Sequence, residues 1–218
     1  MGYTKICGER NGIEVMQTSF VPVNDNCEIH RIVLTNKTDH IKSIKLFSFV
    51  EFCLWNAQDD MLNYQRNLNT GEVEIKDSTI YHKTEYRERR NHYSFYSVNT
   101  EINGFDTDRD TFLGSFNGFD NPDSVIRGSS GNSVASGWYP IASHQIDVTL
   151  NSNESREYIF VLGYIENERN KKFDSLNVIN KSKAEAMQAR YNKSEKCDAE
   201  LAKLKEYWDN LLSVFILE

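Results

Sequence analysis

Proline is scarce, at three residues in 218, and strand-like runs never alternate with helix-like ones, which excludes a wound parallel sheet of βαβ units. The four cysteines, Cys7, Cys27, Cys53 and Cys197, are far apart and form no CxxC pair, and the five histidines never stand at HxxxH spacing. Those absences remove the common zinc arrangements, so no metal ligands are expected and the cysteines read as reduced thiols. Positive charge is also short: 25 Lys and Arg stand against 32 Asp and Glu, a formal net charge of -7. Phosphate-backbone binders need a basic face, so nucleic acid is excluded as the expected partner. No apolar run approaches a membrane span, and Met1-Gly2-Tyr3-Thr4-Lys5 does not open a signal peptide, so the expected compartment is the cytoplasm. No GxSxG, Walker or GxGxxG sequence occurs, nor a cysteine in a recognisable histidine context, and Asp59-Asp60 reads as a solvated turn. No catalytic residue is therefore expected in this chain, and no cofactor.

What is present favours sheets. Hydrophobic residues make up 39% and aromatics 12%, with 12 Phe and 11 Tyr. From Ile13 to about Ile165 short apolar or alternating runs follow one another, closed by turn clusters such as Asn24-Asp25-Asn26, Thr35 to Asp39 and Asn151 to Glu154. Ile29 to Leu34, Glu72 to Lys76, Tyr93 to Val98, Ile146 to Leu150 and Tyr158 to Ile165 are expected strands. Ile41 to Trp55 reads as a longer one: Ile44, Leu46, Ser48, Val50, Phe52 and Leu54 point one way, Phe47, Phe49, Glu51, Cys53 and Trp55 the other. With both faces largely apolar, that strand is expected at the centre of its sheet. The fold class is mainly β, a large antiparallel sandwich.

The pattern changes at Glu166 to Lys172, a charged stretch that divides a β-sandwich of residues 1–166 from a helical linker of residues 167–218. From Ser182 onward Ala, Glu, Lys and Leu dominate, and Leu201, Leu204, Tyr207, Trp208, Leu211 and Leu212 form one helical stripe that needs a surface to pack on. The chain runs from Met1 almost directly into the turn Gly8 to Gly12 and stops at the apolar Val214 to Glu218, so both ends read as cut, with the sandwich truncated at its start.

Three constellations stand out. Trp55 to Asn67 is crowded with amides, carboxylates, an Arg and aromatics, the mixture that binds sugars through ring faces and paired hydroxyls; a polar loop around a buried Trp fits it equally. Tyr81 to Tyr93 interleaves Lys83, Arg87, Arg89 and Arg90 with tyrosines, and reads as an exposed strand with cross-strand ion pairs. Asp106, Asp108 and Asp110 mimic a calcium loop, but Thr111 stands where that loop needs Gly and Asn117 where it needs Glu, so calcium is discounted.

Taken together, Gly8 to Gly12, Leu46 to Ala57, Tyr64 to Asn67, Thr84 to Tyr93 and Gly104 to Gly114 resemble the cellobiose phosphorylases of glycoside hydrolase family 94, formerly glycosyltransferase family 36. The likeness runs from residue 3 to roughly residue 210. It implies a galactose-mutarotase-like super-sandwich, here incomplete, followed by linker helices and then an α/α barrel that is absent from this chain. It further implies an inverting reaction, cellobiose plus phosphate to α-glucose 1-phosphate and glucose, with inorganic phosphate as co-substrate and the acid located in the barrel. Gln65 and Arg66, and with them Asn67 and Asn63, match the groups the family uses to hold the acceptor glucose; bracing the loop is the alternative role for them. A homodimer is implied for the whole enzyme. The chain alone is expected to be inactive; the competing readings are a free-standing carbohydrate-binding module and an oligomerisation domain.

Overall fold

The computed structural model describes residues 1–52, 71–84, 91–137 and 140–213. Its strands are β1 (Tyr3–Arg10), β2 (Ile13–Phe20), β3 (Cys27–Asn36), β4 (Lys42–Phe47), β5 (Val50–Glu51), β6 (Gly71–Lys76), β7 (Thr79–Thr84), β8 (His92–Val98) and β9 (Gly104–Asp108). Two short helices follow, α1 (Arg109–Leu113) and α2 (Asp123–Arg127). Then come β10 (Ser136–Gly137), β11 (Pro140–Leu150), β12 (Ser155–Glu166), a small hairpin of β13 (Phe173–Ser175) and β14 (Val178–Ile179), and helices α3 (Ser182–Tyr191) and α4 (Ser194–Leu212).

One antiparallel sheet holds eight strands in the order β1-β2-β3-β12-β8-β7-β6-β10; a smaller one is built around β11, flanked by β4 and β5 on one side and β9 on the other. Strand alternation divides the large sheet between two cores. Tyr96, Val98, Tyr158 and Phe160 meet Ile146, Val148 and Leu150 of the small sheet, making the interior of the sandwich. Tyr81, Tyr93, Phe95, Ile159, Val161 and Ile165 project from the opposite face and are covered by α3 and α4 through Ala184, Met187, Tyr191, Cys197 and Leu204. Each such side chain removed from water contributes about 2 kcal/mol, so burial of this second cluster holds the helices on the sheet. The expected helical stripe lands here through Leu201, Leu204 and Trp208, while Tyr207 and Leu211 remain exposed.

Three expectations change. The β pattern begins ten residues before Ile13, because Tyr3 to Arg10 pair with β2 across an Asn11-Gly12 turn whose positive φ values of 54° and 75° suit a two-residue hairpin. The long strand from Ile41 is interrupted at Ser48 and Phe49, yet β4 and β5 keep one register along β11, with Phe47 opposite Gln145 and Val50 opposite Ala142. It lies at an edge of the small sheet, not at its centre. Its second apolar face is explained by α1, since Phe47 and Phe49 pack on Phe112, Leu113 and Ile141. Finally, the Tyr81 segment is buried where it is described, and Lys83 lies between Glu72 at 3.1 Å and Glu74 at 3.3 Å with 7% of its side chain exposed.

Candidate functional site

All four sequence-predicted sugar ligands, Asn63, Gln65, Arg66 and Asn67, lie outside the described residues. What the structure shows is the platform from which their segment departs. The strand formed by β4 and β5 is followed at once by Phe52, which is buried and stacked on His82 with ring centroids 4.9 Å apart and planes 11° from parallel. One residue earlier, Glu51 accepts from Arg109 Nε at 2.7 Å. The guanidinium of Arg109 also lies 5.7 Å from the ring of Phe119, which meets Phe49 edge-on at 5.0 Å. The strand's exit is thus fixed on both faces, by aromatic packing inside and by an ion pair outside.

The neighbouring loop is organised by the three aspartates. Asp106 is fully buried and accepts the N–H groups of Gly131 at 3.0 Å and Ser133 at 3.2 Å, with the hydroxyls of Ser133 at 2.9 Å and Ser124 at 3.0 Å. A buried carboxylate is tolerated when several donors converge on it, and here they pin residues 124–133 against β9. Asp108 caps α1 by accepting from the N–H of Thr111 at 2.8 Å. Asp110 occupies the first turn of that helix, where a negative charge opposes the helix dipole. The loop they hold exposes Phe116, Phe119, Val125 and Ile126. Sequence reasoning singled out the aspartates but not the part they play, and it missed Arg109 and Phe119.

A polar cleft also runs between α3 and the ends of β7 and β8, lined by Lys76, Thr79, Tyr81, Asn99, Glu185 and Gln188. Its groups are largely spent on one another: Lys76 pairs with Glu185 at 2.6 Å and the Thr79 hydroxyl donates to Gln188 at 3.2 Å. The cleft therefore works as a seam between helix and sheet. Of the described cysteines, Cys7, Cys27 and Cys197 are free, and burial raises the Cys27 thiol to about 12 and that of Cys197 to about 11, which makes those two poor nucleophiles. Among the described residues no group of three His, Cys, Asp or Glu side chains could hold a metal ion, and no helix is long and apolar enough to cross a membrane.

Comparison with known proteins places this platform. Residues 1–194 match the model of the glycosyl hydrolase 94 supersandwich domain. The chain is 27% identical over 216 residues to an N,N'-diacetylchitobiose phosphorylase of Vibrio proteolyticus, an alignment covering 99% of this chain and 25% of that protein. It is 30% identical over 138 residues to a solabiose phosphorylase of Paenibacillus borealis, covering 62% of this chain and 18% of the relative. Among solved structures, a bacterial glucoamylase complexed with acarbose aligns with a TM-score of 0.49 at 15% identity, over 75% of this chain and 22% of that one. The chain spans about a quarter of the length of the Vibrio relative. With 194 of its residues accounted for by the family's own domain, this chain belongs to glycoside hydrolase family 94.

Proposed function

We propose that this chain is the supersandwich and linker part of an inverting disaccharide phosphorylase, and that it supplies one wall of the acceptor-sugar pocket. The observation that carries the reading is the match of residues 1–194 to the family domain, together with curated relatives that are disaccharide phosphorylases four times as long. In this reading the general acid and the phosphate pocket reside in an α/α barrel outside the 218 residues. Gln65 and Arg66, with Asn67 and Asn63 beside them, donate to vicinal hydroxyls of the acceptor; a fixed amide and guanidinium suit that task because they form planar, paired hydrogen bonds. Phosphate enters as an anion, so the attack needs no general base, and no cofactor takes part. The disaccharide is cellobiose, giving α-glucose 1-phosphate and glucose, and the whole enzyme works in the cytoplasm as a homodimer.

The test has two arms. Incubated with cellobiose and phosphate, the chain by itself releases no glucose 1-phosphate, and calorimetric titration with glucose or cellobiose gives negligible heat, because half of a divided pocket cannot offset the entropy of holding a sugar. A chimera in which this chain replaces the matching quarter of the Vibrio proteolyticus enzyme regains phosphorolysis, and Arg66→Ala in it raises the acceptor KM in the reverse direction. Glucose 1-phosphate made by the chain alone would refute the division of labour. Micromolar binding of cellobiose by the chain alone would favour the free-standing carbohydrate-binding module instead.

A further inference from the structure

Three Asn-Gly pairs occur in the sequence, Asn11-Gly12, Asn103-Gly104 and Asn117-Gly118. Such a pair can modify itself. The glycine nitrogen, unshielded by a side chain, attacks the carbonyl carbon of the asparagine side chain and closes a five-membered imide. For this the nitrogen must be free of hydrogen bonds and must swing to the same side of the Cα–C bond as the asparagine Cβ, and the side chain must be able to turn toward it.

Two of the pairs fail those demands. Asn11 and Gly12 form the turn between β1 and β2 with φ values of 54° and 75°. A left-handed asparagine holds the next nitrogen on the far side of the Cα–C bond from its own Cβ, so closing the imide there means opening the hairpin. Asn103 is clamped instead. Its N–H donates to the Gln145 carbonyl at 2.8 Å, its Oδ1 accepts from the Asp147 N–H at 2.7 Å, and Gly104 is buried as the first residue of β9.

Asn117-Gly118 meets them. The pair lies in the loop joining α1 to α2, where every residue from Ser115 to Asn121 is exposed. The Gly118 N–H makes no hydrogen bond among the described residues. The asparagine side chain is tied only through Nδ2, the nitrogen that departs, which donates to Asp123 Oδ1 at 2.6 Å; Oδ1 and the carbon under attack are open. A base is also present. Asp120 lies against the glycine, with its Oδ1 2.8 Å from where a Cβ would stand, a place that only glycine leaves vacant.

We infer that Asn117 is a self-modification site, converted to aspartate and isoaspartate without another protein. The Gly118 nitrogen bonds to Asn117 Cγ as the Cγ–Nδ2 bond breaks, and the glycine proton passes by way of the Asp120 carboxylate to the departing nitrogen, which leaves as ammonia. One water then opens the imide at either carbonyl. The product sets a carboxylate against Asp123 where an amide had donated to it, and the isoaspartate form also routes the backbone through an extra methylene. Like charges so placed repel, which frees the loop of Phe116 and Phe119 from the start of α2. The inference is independent of the sugar-binding reading.

Ageing the 218-residue chain in mildly alkaline buffer, with peptide mass mapping at intervals, tests it by reading the exchange of one ammonia for one water. Asn117 converts about tenfold faster than Asn11 or Asn103, a ratio that a small difference in barrier produces. Asp120→Asn slows the conversion several-fold, and Gly118→Ala, which covers the nitrogen and displaces Asp120, abolishes it, with circular dichroism melts unchanged in both. Hydrogen exchange across residues 115–123 rises in the aged parent and in fresh Asn117→Asp, but not in aged Gly118→Ala. Conversion at Asn11 or Asn103 first, none at Asn117, a rate indifferent to either substitution, or an aged loop with unchanged exchange would each overturn the assignment.

Discussion

His144 should make the domain acid-sensitive in a calculable way. Its side chain is fully buried between the sheets, with the rings of Tyr96 and Phe160 at 5.1 and 6.1 Å. Ser48 Oγ accepts from the backbone N–H of His144 at 3.0 Å and shares a second hydrogen bond, also 3.0 Å, with Nδ1 of the ring. The other ring nitrogen, Nε2, is buried and finds no partner among the described residues, so nothing there would stabilise a second ring proton. Burial penalises the imidazolium and lowers the pKa from 6.5 to about 3. The unfolded chain protonates this residue below 6.5 and the folded chain does not until about 3, so the stability this group contributes is present above 6.5 and is lost as the pH falls between those values. At 1.36 kcal/mol per pH unit, going from pH 7 to pH 5 costs about 2 kcal/mol from this one group. Urea unfolding at both pH values, in the parent and in His144→Phe, isolates the effect from that of His30, whose pKa burial also lowers. The parent should lose about 2 kcal/mol more than the variant. Equal losses would show that His144 is protonated in the native state, and the burial argument would fail.

Other perturbations probe the platform and the seams. Asp106→Ala strands four donors in a buried site and should cost about 3 kcal/mol, read as a lower urea midpoint with an unchanged slope. Asp108→Ala removes only the cap of α1 and should cost about 1 kcal/mol in the same assay. Gly163→Ala drives a Cβ to 2.3 Å from the ring of Phe95 and 3.1 Å from the sulfur of Met187, so the melt should reveal about 2 kcal/mol of overpacking where β12 meets α3. Glu74→Ala deprives buried Lys83 and half-buried Lys181 of a shared carboxylate and the Ile179 N–H of its acceptor. It should cost about 3 kcal/mol and raise hydrogen exchange in the β13–β14 hairpin ahead of the rest of the molecule.

The strands that were legible in the sequence are those that reach a core. β8 and β12 read as near-continuous apolar runs because their two faces enter two different cores, and the second half of β11 alternates because only one of its faces does. β1 left no such trace, since none of its residues is buried and its Lys, Glu and Arg obscure any period. The helices α1 and α2 are five residues each, too short to display a turn-by-turn stripe. The aspartates of β9 and α1 could be seen, but not what they hold: Asp106 gathers donors from residues 18 to 27 positions along the chain, a convergence that the loop's path creates and local spacing does not encode.

The strand from Lys42 to Glu51 shows how such misreadings carry information. An edge strand with two apolar faces is unstable in water unless something covers the second face, and the sequence pattern alone resolves that conflict by moving the strand to the centre of a sheet. The protein resolves it with a five-residue helix instead, laying Phe112 and Leu113 on Phe47 and Phe49. The difference has a functional consequence. Covering by α1 brings Arg109 to Glu51 and places Phe119 against Phe49, contacts that a neighbouring strand would have displaced. The chain consequently enters the segment of Asn63, Gln65, Arg66 and Asn67 from a fixed point at Phe52, beside a loop whose own position is set by Asp106. Under the proposed function, in which those four residues form one wall of an acceptor-sugar pocket, such anchoring is required, since a wall displaced by about 1 Å forfeits much of its hydrogen-bond selectivity.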